Sequence, residues 1–367
     1  MRRLGGDHLG MSSVALDPTG WPGTLPPVTL LDGADVSDPD VDSLCALYEA
    51  NRWTYAFAGS PVPTRAVRAT IEYGWDGEAP FVYVVRAGDD AGPGADAQTI
   101  VAVLEIWYST HDNLNNVYLD VVVHPDWRRR GIGSALVELG EAWGRANARL
   151  TVMTGTREGS VADEEFAERR GYVRALREVM RRQVLADVDR DLVSHELAQA
   201  RLAAADYEVL RLFGRIPEEM LDGIAEVDNA INDAPRDDLA WEDEINTGER
   251  LRAIDAGHER RGLRVYKLVA RRRSDGVLAG QTTVGVHPEH PPYGHQHLTV
   301  VARDHRGHRL GMLLKAEMLT WLAEAEPQLE SIDTDNAGSN DHMISINEKL
   351  GYRVTGAVWE RQKRLDD

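Results

Sequence analysis

The chain of 367 residues contains a single cysteine, Cys45. That excludes an internal disulfide and any metal cluster held by cysteines. Lysine and arginine number 41 against 60 aspartates and glutamates, for a net charge of −19. Bulk nucleic-acid binding needs a surplus of cations on one face, so that class is excluded. An acidic surface favours solubility and draws cationic small molecules. No stretch approaches the roughly 18 consecutive apolar residues of a membrane-spanning helix. The opening "MRRLGGDHLGMSSVALDPTGWPG" has basic residues but no long apolar run behind them, so it does not read as a signal peptide. With 43% hydrophobic and 28% charged residues, the composition is that of an ordinary soluble protein, and a cytoplasmic location is expected.

The length exceeds what one core usually holds, so two domains are expected. A long internal repeat supports this. "VVVHPDWRRRGIGSALVELGEAW" from Val121 matches "LTVVARDHRGHRLGMLLKAEMLTWL" from Leu298, with Arg128 and Arg306 lying 178 positions apart. "ERRGY" at 168–172 matches "EKLGY" at 348–352, and the two glycines lie 180 apart. Agreement at two landmarks implies a duplicated domain. The expected organisation is a loosely ordered arm at 1–27, a domain at 28–185, a helical connector at 186–205 and a second domain at 206–367.

Each half alternates apolar, β-branched runs with amphipathic stretches. "PFVYVVRAG", "TIVAVLEIWYST" and "NVYLDVVVHP" read as strands, with the loop "GDDAGPGADAQ" between the first two. A helix follows Gly133, with Leu136, Gly140 and Trp143 on one face. "VRALREVMRRQV" reads as the strand region that closes the first half. The second half repeats this order, and its acidic "DDLAWEDEINTGERLRAIDAG" reads as a helix.

Between strand and helix, "HPDWRRRGIGS" sets three arginines beside two glycines. Glycines permit a tight turn and a close approach to backbone N–H groups. The helix N-terminus adds unpaired donors and partial positive charge. Such a turn suits a polyphosphate anion. The pattern is no P-loop, and Leu136 stands where a Rossmann turn needs its third glycine.

Strand, Arg-x-x-Gly-x-Gly turn, helix, strand, helix and Gly-Tyr, in that order and twice, resembles the GCN5-related N-acetyltransferase (GNAT) superfamily in tandem. The resemblance implies an α+β fold of two GNAT domains, each a mixed, mostly antiparallel sheet flanked by helices. It implies acyl transfer from acetyl-CoA, or another acyl-CoA, to the amine of a small molecule. The protein would be a monomer or homodimer, with no nucleic-acid or membrane partner and no metal. It also implies a cofactor site in each half. The first comprises Val122, Val123, Arg128, Arg129, Arg130, Gly131, Ile132, Gly133 and Ser134. The second comprises Val300, Val301, Arg306, Gly307, His308, Arg309, Leu310, Gly311 and Met312, with Asn336 and Asn340.

Two departures from the family pattern matter. Arg309 replaces the first motif glycine of the second half, and so requires a permitted φ. The tyrosine that relatives use to protonate the leaving thiolate is replaced by Asn347 in the second half and Ala167 in the first. Relatives often place a base on the strand before the turn, where the second half has His295 and the first has Val117. His297 lies two residues on, facing the same way, and histidine suits base work near pH 7. These features favour catalysis in the second half by His295, His297 and Asn347. Asp237, Asp238 and Glu242 on the acidic helix would attract a cationic amine. The other reading is a non-catalytic protein that binds or senses acyl-CoA.

Overall fold

The computed structural model describes residues 25–52, 61–88 and 96–366. Residues 1–24 of the expected arm and 89–95 of the expected loop lie outside them. The first half runs β1 (Val28–Leu30), α1 (Asp38–Ala50), α2 (Thr64–Tyr73), β2 (Phe81–Arg86) and β3 (Ile100–Trp107). It continues with β4 (Asn116–Val123), α3 (Ile132–Ala146), β5 (Thr151–Arg157), α4 (Val161–Arg169) and β6 (Val173–Val184). A connecting helix, α5 (Arg190–Ala203), leads to the second half. That half opens with β7 (Tyr207–Phe213), α6 (Leu221–Asp228), α7 (Gly248–Arg261), β8 (Arg264–Arg272) and β9 (Leu278–Val286). β10 (Tyr293–Val301), α8 (Leu310–Ala325), β11 (Ser331–Ala337), α9 (Asp341–Lys349) and β12 (Arg353–Arg364) complete it.

All the strands join one twelve-stranded sheet, in the order β1-β2-β3-β4-β5-β12-β6-β11-β10-β9-β8-β7. The order has an approximate two-fold at its middle, with one exchange. The strand that closes each repeat in sequence has crossed into the other half's sheet. β12 pairs with β5, and β6 pairs with β11. β6 and β12 pair with each other along the seam. The fold is α+β, because only β4 with β5 and β10 with β11 run parallel.

Both parallel pairs are short. β4 matches β5 only from Asn116 opposite Thr151 to Tyr118 opposite Met153, after which the strands part. α3 lies on β4 and fixes that splay. Its face of Leu136, Gly140 and Trp143 is buried. Gly140 lets the helix lie close on the strand, since a Cβ would meet Leu119 Cδ1 at 2.6 Å and displace that side chain. α5 is part of the second core, to which it contributes Leu197 and Ala200.

The acidic segment at 237–247 is not helical, contrary to the sequence reading; the helix begins at Gly248, capped by Thr247. Side chains from the first half satisfy its backbone instead. Asn113 accepts from the Glu242 N–H at 2.8 Å, Asp112 from that of Ile245 at 2.9 Å, and Asn116 donates to the Ala240 carbonyl at 2.7 Å. The segment straps one half to the other.

The exchange makes each half depend on remote sequence. Arg361 on β12 is almost fully buried. It donates to Thr156 Oγ1 at 2.7 Å and to the Tyr172 carbonyl at 3.4 Å, both in the first half. We expect Arg361→Ala to destabilise the protein by about 2–4 kcal/mol, since it removes several bonds from a buried site. Hydrogen exchange should accelerate at β5, in the first half. Acceleration confined to residues near 361 would show that the exchanged strand does not support the first half.

Candidate active site

The turn of the first half follows β4. Arg128 ties it to the strand end, Nε donating to the Val123 carbonyl at 3.2 Å. Arg306 repeats this bond to Val301, also at 3.2 Å. Two residues in each turn are left-handed: Arg129 (φ 63°) and Gly131 (88°) in the first, Gly307 (85°) and Arg309 (57°) in the second. Arginine and glycine have traded places on one backbone path. Arg309 therefore does adopt the required φ, at roughly 1 kcal/mol of strain.

Side chains cap α1, α5, α7 and α9. As in α8, whose N-cap is Arg309, no side chain among the described residues caps α3, whose N-cap is Gly131. Its first N–H groups therefore remain open to a ligand. They face a cavity of about 720 Å³ that follows the splay, from Arg128–Ser134 past Leu119–Val123 to Thr154–Arg157. Among the described residues, no carboxylate pairs with Arg128, Arg129 or Arg130.

The second turn is different, because the protein supplies its own anions. Asp233 pairs with Arg303 and, at 2.7 Å, with Arg306. Glu196 of α5 pairs with Arg309 and, at 3.3 Å, with Lys349. The splay of this half is also bridged, Thr334 Oγ1 donating to the Gln296 carbonyl at 3.4 Å. Lys315, where the first half has the cavity residue Val137, is buried over the Tyr352 ring, and burial brings its amine down to about 7.

A second cavity, of about 440 Å³, meets the first at Asp120. Tyr48, Glu105 and Trp107 of the first half line it, with His287, Tyr293 and His295 of the second. Glu105 stands directly opposite Asp120 across β3 and β4. It accepts from the Tyr48 hydroxyl and, at 2.9 Å, from Trp107 Nε1. Burial, and then the facing Asp120, push its carboxyl up to about 7. The second half has Thr283 at this register, with the Lys267 ammonium 2.8 Å from its hydroxyl.

Glu178 and Glu360 complete the wall of the larger cavity. Glu178 is raised to about 8 by burial, then by Asp335 and Glu360. Glu360 is raised to about 7, chiefly by burial, although it accepts from the Tyr118 hydroxyl.

The residues singled out from the sequence are dispersed. A bulge in β10 between Gln296 and Thr299 shifts the register. Since Tyr293 pairs with Ser331 as Asn116 pairs with Thr151, His295 takes the place of Tyr118, and Gly294 that of Val117. His295 borders the smaller cavity, its Nε2 3.9 Å from Asp335. His297 packs against Trp75, His258 and His295 rather than facing either cavity. Burial, then His295, holds it well below the usual imidazole range. Asn347 is fully buried and donates to Asn336 at 2.7 Å, while Asn340 caps α9. Asp237 accepts from Ser339 at 2.8 Å, and Glu242 accepts from Asn115. Asp238 joins the strap through its N–H, which donates to the Ala175 carbonyl at 3.1 Å. None of these three acids lines either cavity. Glu105, Glu178 and Glu360 escaped the sequence reading, and Asp120 was passed over because it lies on the opposite strand face from Val117. The available signal was a lone carboxylate within an apolar strand, as in "VAVLEIW" and "VYLDVVV".

Residues 45–172 match the profile of the acetyltransferase (GNAT) family. The fold of the whole chain is that of a tandem GNAT protein. It is similar to a tandem GNAT protein from the clavulanic acid biosynthesis pathway, determined without AcCoA. That TM-score is 0.73 at 23% identity, over 92% of this chain and 98% of that one. A GCN5-related N-acetyltransferase from Sphaerobacter thermophilus gives 0.61 at 16% identity, over 93% and 97%. No curated protein matches the chain. Among the described residues, no helix is long and apolar enough to cross a membrane.

The raised carboxyls set a pH dependence. A folded pKa above the unfolded value contributes stability that is complete below the unfolded pKa and lost as pH rises through the folded one. Glu178, raised from its ordinary 4.5 to about 8, should therefore cost stability progressively from about pH 4.5 up to about pH 8. His258 and His297 have lowered values, so their effect falls at lower pH. We expect the thermal midpoint of Glu178→Gln to fall less steeply over that window than the parent's in calorimetric scans. Parallel curves would mean that Glu178 is not raised.

Proposed function

We propose that the first half is an N-acyltransferase site and the second half a scaffold without a working site. The observation that carries this is the contrast in charge. Among the described residues, the first turn leaves its arginines without carboxylate partners beside a cavity, whereas the second is neutralised by Asp233 and Glu196; the helix end is uncapped in both. An anion site that already holds protein carboxylates has little to gain from a phosphate. The first turn fits the pyrophosphate of acyl-CoA through the N–H groups at 131–134 and the arginines at 128–130. Beyond Tyr118 no strand pairs with the β5 side of β4 among the described residues. That edge can hold the extended arm of the cofactor, and its N–H groups can polarise the acyl carbonyl.

Acyl-CoA, when bound, supplies an acyl group activated as a thioester. The protein's part is to align a neutral amine and take its proton. Asp120 lies where the two cavities meet, so an amine entering by the smaller one reaches it at the end of the cofactor channel. Asp120 and Glu105 act together, the charge of one raising the proton affinity of the other toward neutrality. As the C–N bond forms and the C–S bond breaks, the amine's proton passes to this pair. The thiolate takes a proton from water. Chemistry thus moves from the second half, favoured by the sequence, to the first.

Calorimetry should detect one acetyl-CoA per chain. Gly133→Asp should abolish binding by charge alone, since a Cβ there meets nothing closer than 3.6 Å. Gly311→Asp should leave it intact. Two equivalent sites, or loss only with the second variant, would reverse the assignment.

Asp120→Asn should lower kcat/KM by about 10²–10⁴ while acetyl-CoA affinity stays close to the parent's. Glu105→Gln should move the acid limb of the kcat/KM profile to lower pH, because Asp120 loses a like-charged neighbour. An acid limb that does not move would remove Glu105 from the pair.

A further inference from the structure

Acyl transfer needs one base, yet the two cavities hold carboxylates well beyond the Glu105–Asp120 pair. Glu178 on β6 stands opposite Ala337 of β11 and Val358 of β12. Asp335 and Glu360 are therefore its diagonal neighbours on the same face of the sheet. Three adjacent strands thus carry a row of acids across the seam between the halves. At one end Asp335 approaches His295 on the smaller cavity, and at the other Glu360 meets Tyr118 in the larger. Among the described residues, no lysine or arginine pairs with Glu105, Glu178 or Glu360.

Several other acids are held by cations, although buried Asp228, which accepts from Gln281, and Asp255 are paired with no lysine or arginine among the described residues. Glu326 is held by Arg264 and Tyr266, Asp333 by Arg182, Asp112 by Arg250, and Glu141 by Lys363. Repeat symmetry does not account for the row either. The counterparts 180 positions away are Val358 for Glu178, Met180 for Glu360 and Gly155 for Asp335. A cation-free carboxylate inside a protein costs stability. The equivalent positions are filled without one, so the sheet does not need acids there.

We infer that Glu178 and Glu360 are specificity-determining residues of the first-half site, and that its acceptor is a small dication. One amino group is acylated beside Asp120, while a second, as ammonium, lies against Glu178 and Glu360. This inference rests on the first-half reading above. An acceptor with a single amino group would leave the acid row unpaired, whereas a second ammonium supplies the missing partner. The strand exchange is what makes the arrangement possible. Glu360 belongs by sequence to the second half and enters the first half's cavity only because β12 lies beside β5.

The test uses the full chain with acetyl-CoA and two probes of equal length, 1,4-diaminobutane and n-butylamine. The diamine should be used with a kcat/KM about 10–100 times that of the monoamine, the effect of one or two charge-assisted hydrogen bonds. Glu178→Gln and Glu360→Gln, each close in shape to the parent, should lower that ratio about tenfold. Neither should lower the thermal midpoint at pH 7.5, a control for misfolding. Equal use of the two amines, or a ratio unmoved by both variants, overturns the inference.

Calorimetry with 1,4-diaminobutane alone gives a readout independent of turnover. Binding by the parent and its loss in the double variant support the carboxylate pair even if no acylation is seen. Absence of diamine binding at millimolar concentration overturns it. Failure of acetyl-CoA to bind the parent would instead defeat the first-half reading, and calorimetry would still judge the diamine site.

Discussion

β12 is hydrogen-bonded to β5 on one side and to β6 on the other, while β6 reaches on to β11. These pairings turn two repeats into one sheet, and the rest of the molecule follows from them. Each half's splay is bounded by a strand whose sequence lies in the other half. The wall of the larger cavity therefore mixes residues from both repeats. The strap at 237–247 and Arg361 reinforce the same dependence, because they satisfy polar groups across the seam. Cutting the chain between repeats would leave β5 and β11 with open edges, which is a poor basis for independent domains.

Duplication supplied two turns on the same backbone path, and charge has since set them apart. Among the described residues, the first keeps its arginines free of carboxylates, while the helix end is uncapped in both. In the second, Asp233, Glu196, Lys315 and the Thr334–Gln296 bond occupy space and charge that the first half leaves open. The electrostatic logic is local. A cationic turn needs a counter-anion, and whether that anion is a ligand or a side chain decides whether the turn can bind phosphate. The same reasoning applies with opposite sign to Glu178 and Glu360, with which no lysine or arginine pairs among the described residues.

Much of this was legible in the residues. The repeat, the strand–turn–helix unit at 121–143 and the Gly-Tyr landmarks gave the tandem fold, because periodicity and glycine spacing are local properties. Residues of the first turn other than Arg130 line a cavity. The acidic segment was misread as a helix because its charges and periodicity suit one. Its backbone is in fact satisfied by asparagines more than a hundred residues away, and no local pattern reveals that. His295 was placed one residue off, since a bulge in β10 shifts the register without any mark in the sequence.

The sequence by itself determined the number of repeats, the element order and the presence of two cationic turns, all consequences of side-chain periodicity and backbone propensity. Only the tertiary structure decided which turn is met by protein carboxylates, which strands trade places, and that Glu105, Asp120, Glu178 and Glu360 border two cavities that share Asp120. Those outcomes depend on long-range pairing of charges and strands. A lone glutamate in an apolar strand looks the same in sequence whether its neighbour across the sheet is an arginine, a valine or another acid.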